Sequence, residues 1–290
     1  MMGGHFVVST DSTRTFNSIV IDAPVVQVWP YVATAQGWNA FLRDVAKVKP
    51  ATDQVRQAYD EFEPNDKVTF VIGELKNEAV CTEVQKFALL SLREKYASVL
   101  PDGNWWKYEL RTTFSCTEKE GMTTVSVAVT GYSEEEMMQW IRECGEMGWR
   151  QSLFNLKCVI ELGLDLRNEI FNYPRLGVLN YSATAEQVKK QGLPANVQGN
   201  FLKKIYPGGP AEQAGLCSGD IITHMNEELV PTYADFVRAL SRCYGKKDKM
   251  KVRFYREGVL CNTMVDLTYD DRFTGMIDPE MKPLELVARE

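Results

Sequence analysis

Side chains that could carry hydrolytic or metal chemistry are scarce in this chain. Its 290 residues include two histidines, His5 and His224. A Ser-His-Asp hydrolase needs an imidazole beside its nucleophile and oxyanion donors around both. The sequence contains no Gly-x-Ser-x-Gly or Gly-Asn-Ser-Gly motif for either histidine to serve. Two isolated histidines are also too few for a zinc site. We therefore expect no protease activity, and we nominate no catalytic residue, metal ligand or cofactor.

The cysteines favour a reducing compartment. Seven of them stand singly at positions 81, 116, 144, 158, 217, 243 and 261, with no Cys-x-x-Cys pair. An odd number at irregular spacing is typical of reduced thiols and not of a disulfide framework. We expect a cytoplasmic protein.

Length and charge narrow the class of protein further. A chain of 290 residues suggests about two domains. The formal net charge of −6 argues against a nucleic-acid partner. No stretch approaches the ~18 apolar residues that a membrane-spanning helix needs, and the first residues, MMGGHFVVSTDSTR, lack the features of a secretory signal. We expect no integral membrane segment.

The first half, from Phe16 to about Ile170, is predicted to form an antiparallel sheet. TFNSIVID alternates as a strand and ends at Asp22, a candidate helix N-cap before Pro24. VVQVWPYVA follows as a short or kinked helix because Pro30 lies inside it. Further strands are predicted at DKVTFVI, EAVCTEVQKF, ALLSLREKY, WWKYELRTTFSC and TTVSVAVTGY. The turn sequences PDGN and EKEG indicate hairpins between neighbouring strands.

A long amphipathic helix follows the strands. Ser133 is its predicted N-cap, with Glu134, Glu135 and Glu136 in the first turn. Its apolar stripe is Met137, Ile141, Cys144, Leu153, Leu156, Ile160 and Leu164. A sheet and a helix of this kind bury their apolar faces against each other.

This order of elements resembles the helix-grip superfamily, also called START-like or SRPBCC. IVIDAPVVQVWPYVATAQGWNAFL is similar to the opening signature of that family. GWRQSLFNLKCVIELG resembles the Gly-Trp-x3-Leu-x2-Leu pattern of the branch related to the heat-shock-protein-90 ATPase activator. The resemblance covers residues 14–168 and implies an α+β fold, in which an antiparallel sheet wraps around a long C-terminal helix. It also implies a cavity suited to a hydrophobic small molecule.

Aromatic residues could line such a cavity. The candidates are Trp106, Tyr108, Trp140 and Trp149. Trp106 and Tyr108 share one face of a predicted strand. All four could equally belong to an aromatic core without a ligand. The strand carboxylates Glu83 and Glu109 alternate toward the solvent face, so no catalytic pair is nominated.

The second half contains the stretch PGGPAEQAGLCSGDIITHMN, residues 207–226. Its four glycines predict turns around a short helix, before a buried strand at Ile221-Ile222. TYADFVRALSRC is a predicted helix, and KMKVRFYREGVLCNTMVDL is a predicted hairpin that turns at Glu257-Gly258. The seam between the halves falls at residues 165–177.

This half resembles a PDZ domain of the bacterial HtrA type, a small β-barrel-like domain, over residues 174–269. The signature is Gly-Pro-Ala at 209–211, Ala-Gly-Leu at 214–216, Gly-Asp-Ile-Ile at 219–222 and Asn226. The resemblance implies that a protein C-terminal peptide adds as a strand, with its carboxylate held by Arg175, Leu176, Gly177 and Val178. Phe236 and Leu240 would form the pocket for the last side chain, or would simply be core residues.

Three functions remain open at this point. The chain could be a non-catalytic adaptor, whose PDZ half binds a peptide and whose helix-grip half binds a hydrophobic small molecule or a second protein. It could be a cavity-based enzyme or a lipid or ligand carrier that its PDZ half localises. It could also regulate a chaperone ATPase. Residues 270–290 are predicted to form a polar tail.

Overall fold

The structure, a computed structural model, describes residues 12–52, 55–72 and 75–274. His5 and residues 275–290 of the predicted tail lie outside these ranges. The chain divides into two compact units. Of the described residues, the first unit takes 12–52, 55–72, 76–96 and 108–168, and the second includes 97–107 and 169–274.

The first unit is built on a seven-stranded sheet in the order β1-β7-β6-β5-β4-β3-β2. Its strands are β1 (Arg14–Ile21), β2 (Val45–Lys49), β3 (Lys67–Ile72), β4 (Leu75–Gln85), β5 (Leu89–Val99), β6 (Trp105–Lys119) and β7 (Met122–Thr130). The pairs β1–β7, β2–β3, β4–β5 and β6–β7 are antiparallel. The predicted strands are all present. Strand β2 was not predicted, since its five residues are too short for a clear alternation.

Three helices accompany this sheet along the chain: α1 (Val25–Ala33), α2 (Ala35–Phe41) and α3 (Glu136–Leu162). A short helix, α4 (Arg167–Phe171), crosses the division between the two units in the sequence. The long helix α3 packs against β1 and α2. This arrangement confirms the predicted α+β architecture, with an antiparallel sheet and a long C-terminal helix.

Both predicted N-caps were wrong. The cap of α1 is Pro24 and not Asp22, and the Val25 N–H instead donates to the Glu118 carboxylate at 2.7 Å. The cap of α3 is Glu135, while the Ser133 hydroxyl accepts from the Glu135 N–H at 3.4 Å. A carboxylate from a distant part of the chain can accept from the first N–H groups of a helix as well as a local cap can. The local sequence does not reveal such a partner. The predicted stripe also ended too late: α3 stops at Leu162, with Gly163 in the left-handed conformation.

Aromatic rings hold α2 and α3 on the inner face of the sheet. Trp38 of α2 stacks on Phe70 of β3 at a ring distance of 4.4 Å. Phe114 of β6 lies edge-on to both Trp38, at 5.5 Å, and Trp149 of α3, at 5.3 Å. The side-chain amide of buried Asn155 donates to the Phe41 carbonyl at 2.8 Å. Helix α3 is therefore fixed to the sheet by ring packing and to α2 by a buried hydrogen bond.

The second unit is built on the sheet order β13-β12-β10-β9-β8, with β11 paired to β10. Its strands are β8 (Val178–Ser182), β9 (Asn200–Ile205), β10 (Ile221–Met225), β11 (Glu228–Leu229), β12 (Met250–Arg256) and β13 (Val259–Val265). Its helices are α5 (Ala185–Lys190), α6 (Pro210–Gln213) and α7 (Tyr233–Ser241). The β12–β13 hairpin turns at Glu257-Gly258 as predicted, and both residues have positive φ. Helix α5 was not predicted.

All seven cysteines are unpaired, and four of them are buried. Burial raises the pKa of the Cys81 and Cys116 thiols to about 12. Thiols with such pKa values stay protonated at neutral pH and are poor nucleophiles. Within the ranges that the structure describes, no helix is both long enough and apolar enough to cross a membrane.

Candidate functional site

The loop of residues 175–178, predicted to hold a carboxylate, leads directly into β8. Its carbonyl groups are used internally: the Leu176 carbonyl accepts from the Ala211 N–H at 2.9 Å, and the Gly177 carbonyl accepts from the Tyr206 N–H at 3.0 Å. The N–H groups of Leu176 and Gly177 donate no hydrogen bond to any residue that the structure describes. Two neighbouring backbone donors therefore have no acceptor among the described residues, and both residues are buried.

Glycine is required at position 177 for two reasons. Its φ is +77°, in the left-handed region that side chains disfavour. A Cβ added there would lie 3.1 Å from Pro210 Cδ and 3.4 Å from Gly209 Cα. The start of α6 therefore packs directly against the loop and holds its conformation.

Arg175 braces the loop from behind. Its guanidinium donates to the carbonyls of Tyr173, at 2.6 Å, and Phe171, at 3.1 Å, and lies 4.6 Å from the Tyr173 ring centroid. Its own N–H donates to the Thr268 carbonyl at 2.6 Å. The backbone bond ties the loop to the segment that follows β13, and the guanidinium bonds tie it to the residues just before the loop. A contribution of the Arg175 charge to carboxylate binding stays a prediction.

Strand β8 forms one edge of the sheet and pairs antiparallel with β9. Positions in an antiparallel pair alternate between those that bond to the partner strand and those that face away from it. Because Gly177 accepts a bond from Tyr206, the next residue, Val178, faces the edge with which no described strand pairs. An open edge is a template for an added strand. The two loop donors and the edge strand β8 follow each other along the chain, with a register shift between Leu179 and Asn180, and we name residues 176–182 the loop–strand surface.

Helix α7 is tied to the far end of this surface. The Tyr233 N–H at its start donates to the Ser182 hydroxyl at 2.9 Å. The fully buried Asn200 side chain donates to the carbonyls of Val230, at 2.8 Å, and Thr232, at 3.0 Å. It also accepts from the Asn180 side chain at 3.0 Å. Asn180 and Asn200 were missed in the sequence, although asparagine inside a predicted strand is a signal of a buried polar contact.

The predicted pocket residues Phe236 and Leu240 lie on the buried face of α7, each 3% exposed. Tyr233 stacks on Phe236 at 6.3 Å. This burial suits the base of a pocket and equally suits a core position, so their role in a peptide pocket stays a prediction.

The Gly-Asp pair of the glycine-rich stretch has a structural role. Asp220 is 1% exposed, and its two oxygens accept from the Arg256 guanidinium at 2.8 and 2.7 Å. Asp220 also accepts from the Cys217 N–H at 2.8 Å. The pairing raises the pKa of Arg256. A bidentate pair of this kind closes the turn between α6 and β10.

Replacing Arg256 is expected to destabilise the second unit. Arg256→Gln leaves the buried Asp220 carboxylate without its charged partner, and we expect a loss of about 2–3 kcal/mol in the free energy of unfolding, discounted because the arginine is partly exposed. Urea unfolding of the full chain measures it. The matched control is Arg253→Gln, whose partner Glu227 is exposed, and whose loss should stay below about 1 kcal/mol. Equal losses for the two variants would contradict this role of Asp220.

The four aromatic residues proposed as a cavity lining are not brought together as one group by the contacts described. Trp140 and Trp149 lie on the buried face of α3, each 8% exposed. Tyr108 stacks on Tyr96 at 5.5 Å in the first unit. Trp106 is half-buried and belongs to the second unit. Glu83 and Glu109 are exposed, as their strand positions predicted.

The first unit also contains a buried carboxylate that was missed in the sequence. Glu94 on β5 is 0% exposed, and its Oε2 accepts from the Tyr96 hydroxyl at 2.6 Å. Burial, reinforced by the charge of Glu94, raises the pKa of Tyr96 well above its usual value. The signal was present: Leu90, Leu92, Glu94 and Tyr96 alternate onto one face of a strand.

Comparisons with known proteins support the PDZ resemblance of the second unit. The family model described as PDZ domain matches residues 201–253. A probable periplasmic serine protease do/HhoA-like from Haemophilus influenzae is 31% identical over 96 residues, which are 33% of this chain and 20% of that protein. The chain thus spans about a fifth of the length of this curated relative. The second unit contains a PDZ domain, a fold that binds peptides.

Solved structures similar to each unit are also known. Protein MLL2253 from Mesorhizobium loti has a TM-score of 0.42 at 15% identity, and the match covers 51% of this chain and 96% of that one. The HtrA3 PDZ domain, solved with a phage-derived ligand (FGRWV), has a TM-score of 0.28 at 15% identity, over 32% of this chain and 84% of that one.

Proposed function

Because the second unit contains a PDZ domain, we propose that the chain is a non-catalytic adaptor that binds the C-terminus of a partner polypeptide. The observation that carries this proposal is the pair of N–H groups at Leu176 and Gly177, which bond to no described residue and come directly before the edge strand β8. A peptide carboxylate would accept from these donors. The rest of the peptide would form backbone hydrogen bonds along β8.

The position of the loop determines the direction of the bound peptide. The carboxylate would bind at the start of β8, so the peptide would extend from there toward Ser182 and run antiparallel to β8. Its last side chain would point toward α7. An apolar last residue fits best, because the residues of α7 that face inward include Phe236 and Leu240.

The helix-grip unit would supply the second binding function of the adaptor, for a small molecule or another protein. The unpaired thiols support the proposal that the protein works in the reducing cytoplasm.

The buried Glu94 favours a second candidate function, a ligand carrier or cavity-based enzyme that the PDZ domain localises. Regulation of a chaperone ATPase stays an alternative from the resemblance alone.

A display library of random peptides with free C-termini tests the proposal, with the full chain as bait. We expect enrichment for an apolar last residue, with little selection beyond the last five or six positions, because β8 has five residues. The control is the same library with a fixed Gly-Ser-Gly extension after the random segment. Enrichment that survives this extension, or no enrichment at all, would contradict C-terminal recognition.

A further inference from the structure

The segment that follows β13 returns to the candidate carboxylate loop. Thr268 forms an isolated antiparallel bridge with Arg175. The Arg175 N–H donates to the Thr268 carbonyl at 2.6 Å, and the Thr268 N–H donates to the Arg175 carbonyl at 3.3 Å. The Asp271 carboxylate lies 4.0 Å from the Arg175 guanidinium. We name residues 268–273 the strap, and its first residue is bonded to the first residue of the loop.

The other end of the strap reaches the groups that hold the loop carbonyls. The ring of Phe273 lies edge-on to that of Tyr206, with 5.9 Å between the ring centroids. Tyr206 is 2% exposed, and its N–H is the donor to the Gly177 carbonyl. A Cβ added at Gly209, the residue before α6, would lie 3.4 Å from Phe273 Cε1. The Phe273 ring therefore packs against both supports of the loop, Tyr206 and the start of α6.

The strap is also held by contacts within itself. The Asp270 carboxylate accepts from the Arg272 backbone N–H at 3.0 Å and from the Arg272 side-chain Nε at 2.8 Å. Hydrogen bonding to this guanidinium lowers the pKa of Asp270, which is therefore ionised at neutral pH. Residues 271–273 form a short 3₁₀ turn. This local structure restrains the position of Phe273 relative to Thr268.

We propose that the strap is a positioning element of the peptide site, with Phe273 as its principal contact. It makes no hydrogen bond to residues 176–178 in the part of the chain that the structure describes, so it acts on their supports and not on the peptide. A loop that is already held in shape loses less freedom when it receives a carboxylate, and its affinity is higher for that reason. This inference rests on the proposed function.

Phe273→Ala in the full chain tests the inference. The probes are the peptide that the display library enriches, as the free acid and as its C-terminal amide. The unmodified chain should prefer the free acid at least about tenfold. In Phe273→Ala this preference should fall at least about fivefold, because the loosened loop must be ordered again around the carboxylate. The affinity for the amide should stay within about twofold. A general loss of stability would instead weaken both peptides alike.

Tyr244→Ala is the matched control. Tyr244 lies edge-on to Tyr269 of the strap at 6.1 Å. This variant therefore removes a ring pair of the same kind that involves neither Tyr206 nor Gly209. Its preference for the free acid should stay within about twofold of that of the unmodified chain.

Amide hydrogen exchange of the free chain tests the same contact without a peptide. The N–H groups of Tyr206 and Ala211 bond to the loop carbonyls, and both should exchange at least about fivefold faster in Phe273→Ala. Thr268→Pro removes the donor at the other end of the strap and should produce the same two effects. It decides the test if Phe273→Ala fails to fold.

The outcomes separate this inference from the proposed function. An unchanged preference for the free acid in a folded strap variant overturns the inference and leaves the proposed function standing. A lower preference with unchanged exchange of Tyr206 and Ala211 also overturns it, because Phe273 would then not act through the loop. Equal binding of the two peptides by the unmodified chain overturns the proposed function, and this inference with it.

Discussion

Gly177→Val is expected to lower the affinity of the full chain for C-terminal peptides about 100-fold. A side chain at φ +77° is strained, and its Cβ would approach Pro210 Cδ at 3.1 Å. The loop must then move, which turns the N–H groups of residues 176–178 away from the carboxylate. Loss of two hydrogen bonds to a charged group accounts for a factor of this size. Fluorescence anisotropy with a labelled peptide measures it.

Gly192→Val is the matched control for this variant. Gly192 has a similar φ of +69°, but a Cβ there meets no atom within 4 Å, and the residue lies beyond α5. This variant carries the same kind of backbone strain without touching the loop. Its peptide affinity should stay within about threefold of the unmodified chain. If Gly177→Val folds and keeps its affinity, or if both variants lose affinity equally, the loop is not the carboxylate site.

Gly37→Ala is expected to destabilise the first unit by about 3–5 kcal/mol. A Cβ at Gly37 would lie 2.2 Å from the Pro30 carbonyl oxygen and 2.4 Å from Tyr31 Cα, both backbone atoms. The close approach of α2 to α1 therefore depends on glycine, and α2 carries Trp38, the ring at the centre of the core. Separating the helices would disturb that packing, so the cost exceeds that of ordinary overpacking.

For Gly148→Ala in α3 we expect the opposite effect on the free energy of unfolding. A Cβ at Gly148 meets nothing within 4 Å. Alanine should stabilise the helix by about 0.5–1 kcal/mol, because glycine loses more backbone freedom on folding. Urea unfolding of the full chain, followed by tryptophan fluorescence, compares the two variants. A loss below about 1 kcal/mol for Gly37→Ala would mean that α1 and α2 can separate freely.

Local patterns predicted most of the elements but not their connections. Alternation located the strands of the first sheet, and the Glu257-Gly258 turn was predicted because its chemistry is local. The N-terminus of α1 was misread because its partner, Glu118, lies far away in the sequence. Strand β2 was missed because five residues carry too little periodicity.

The same contrast applies to the two candidate sites, whose local features could be predicted from the sequence and whose distant contacts could not. The candidate carboxylate loop was predicted from the resemblance to PDZ domains, and its role stays a prediction. Its carbonyl groups, by contrast, accept hydrogen bonds from Tyr206 and Ala211, which lie more than twenty residues away and could not be identified from the local sequence. Glu94 was visible by alternation, but its second oxygen, which has no partner among the described residues, could not be predicted because that depends on which distant side chains pack around β5.

The central claim is that the N–H groups of Leu176 and Gly177 receive a peptide carboxylate at the edge of β8. Amide NMR of the full chain, with a peptide selected from the library as the free acid and as its C-terminal amide, tests it most directly. We predict that the free acid shifts the resonances of residues 176–178 and that the amidated peptide binds at least about tenfold more weakly. Equal binding of the two peptides, or shifts confined to the opposite edge at β13, would contradict the account.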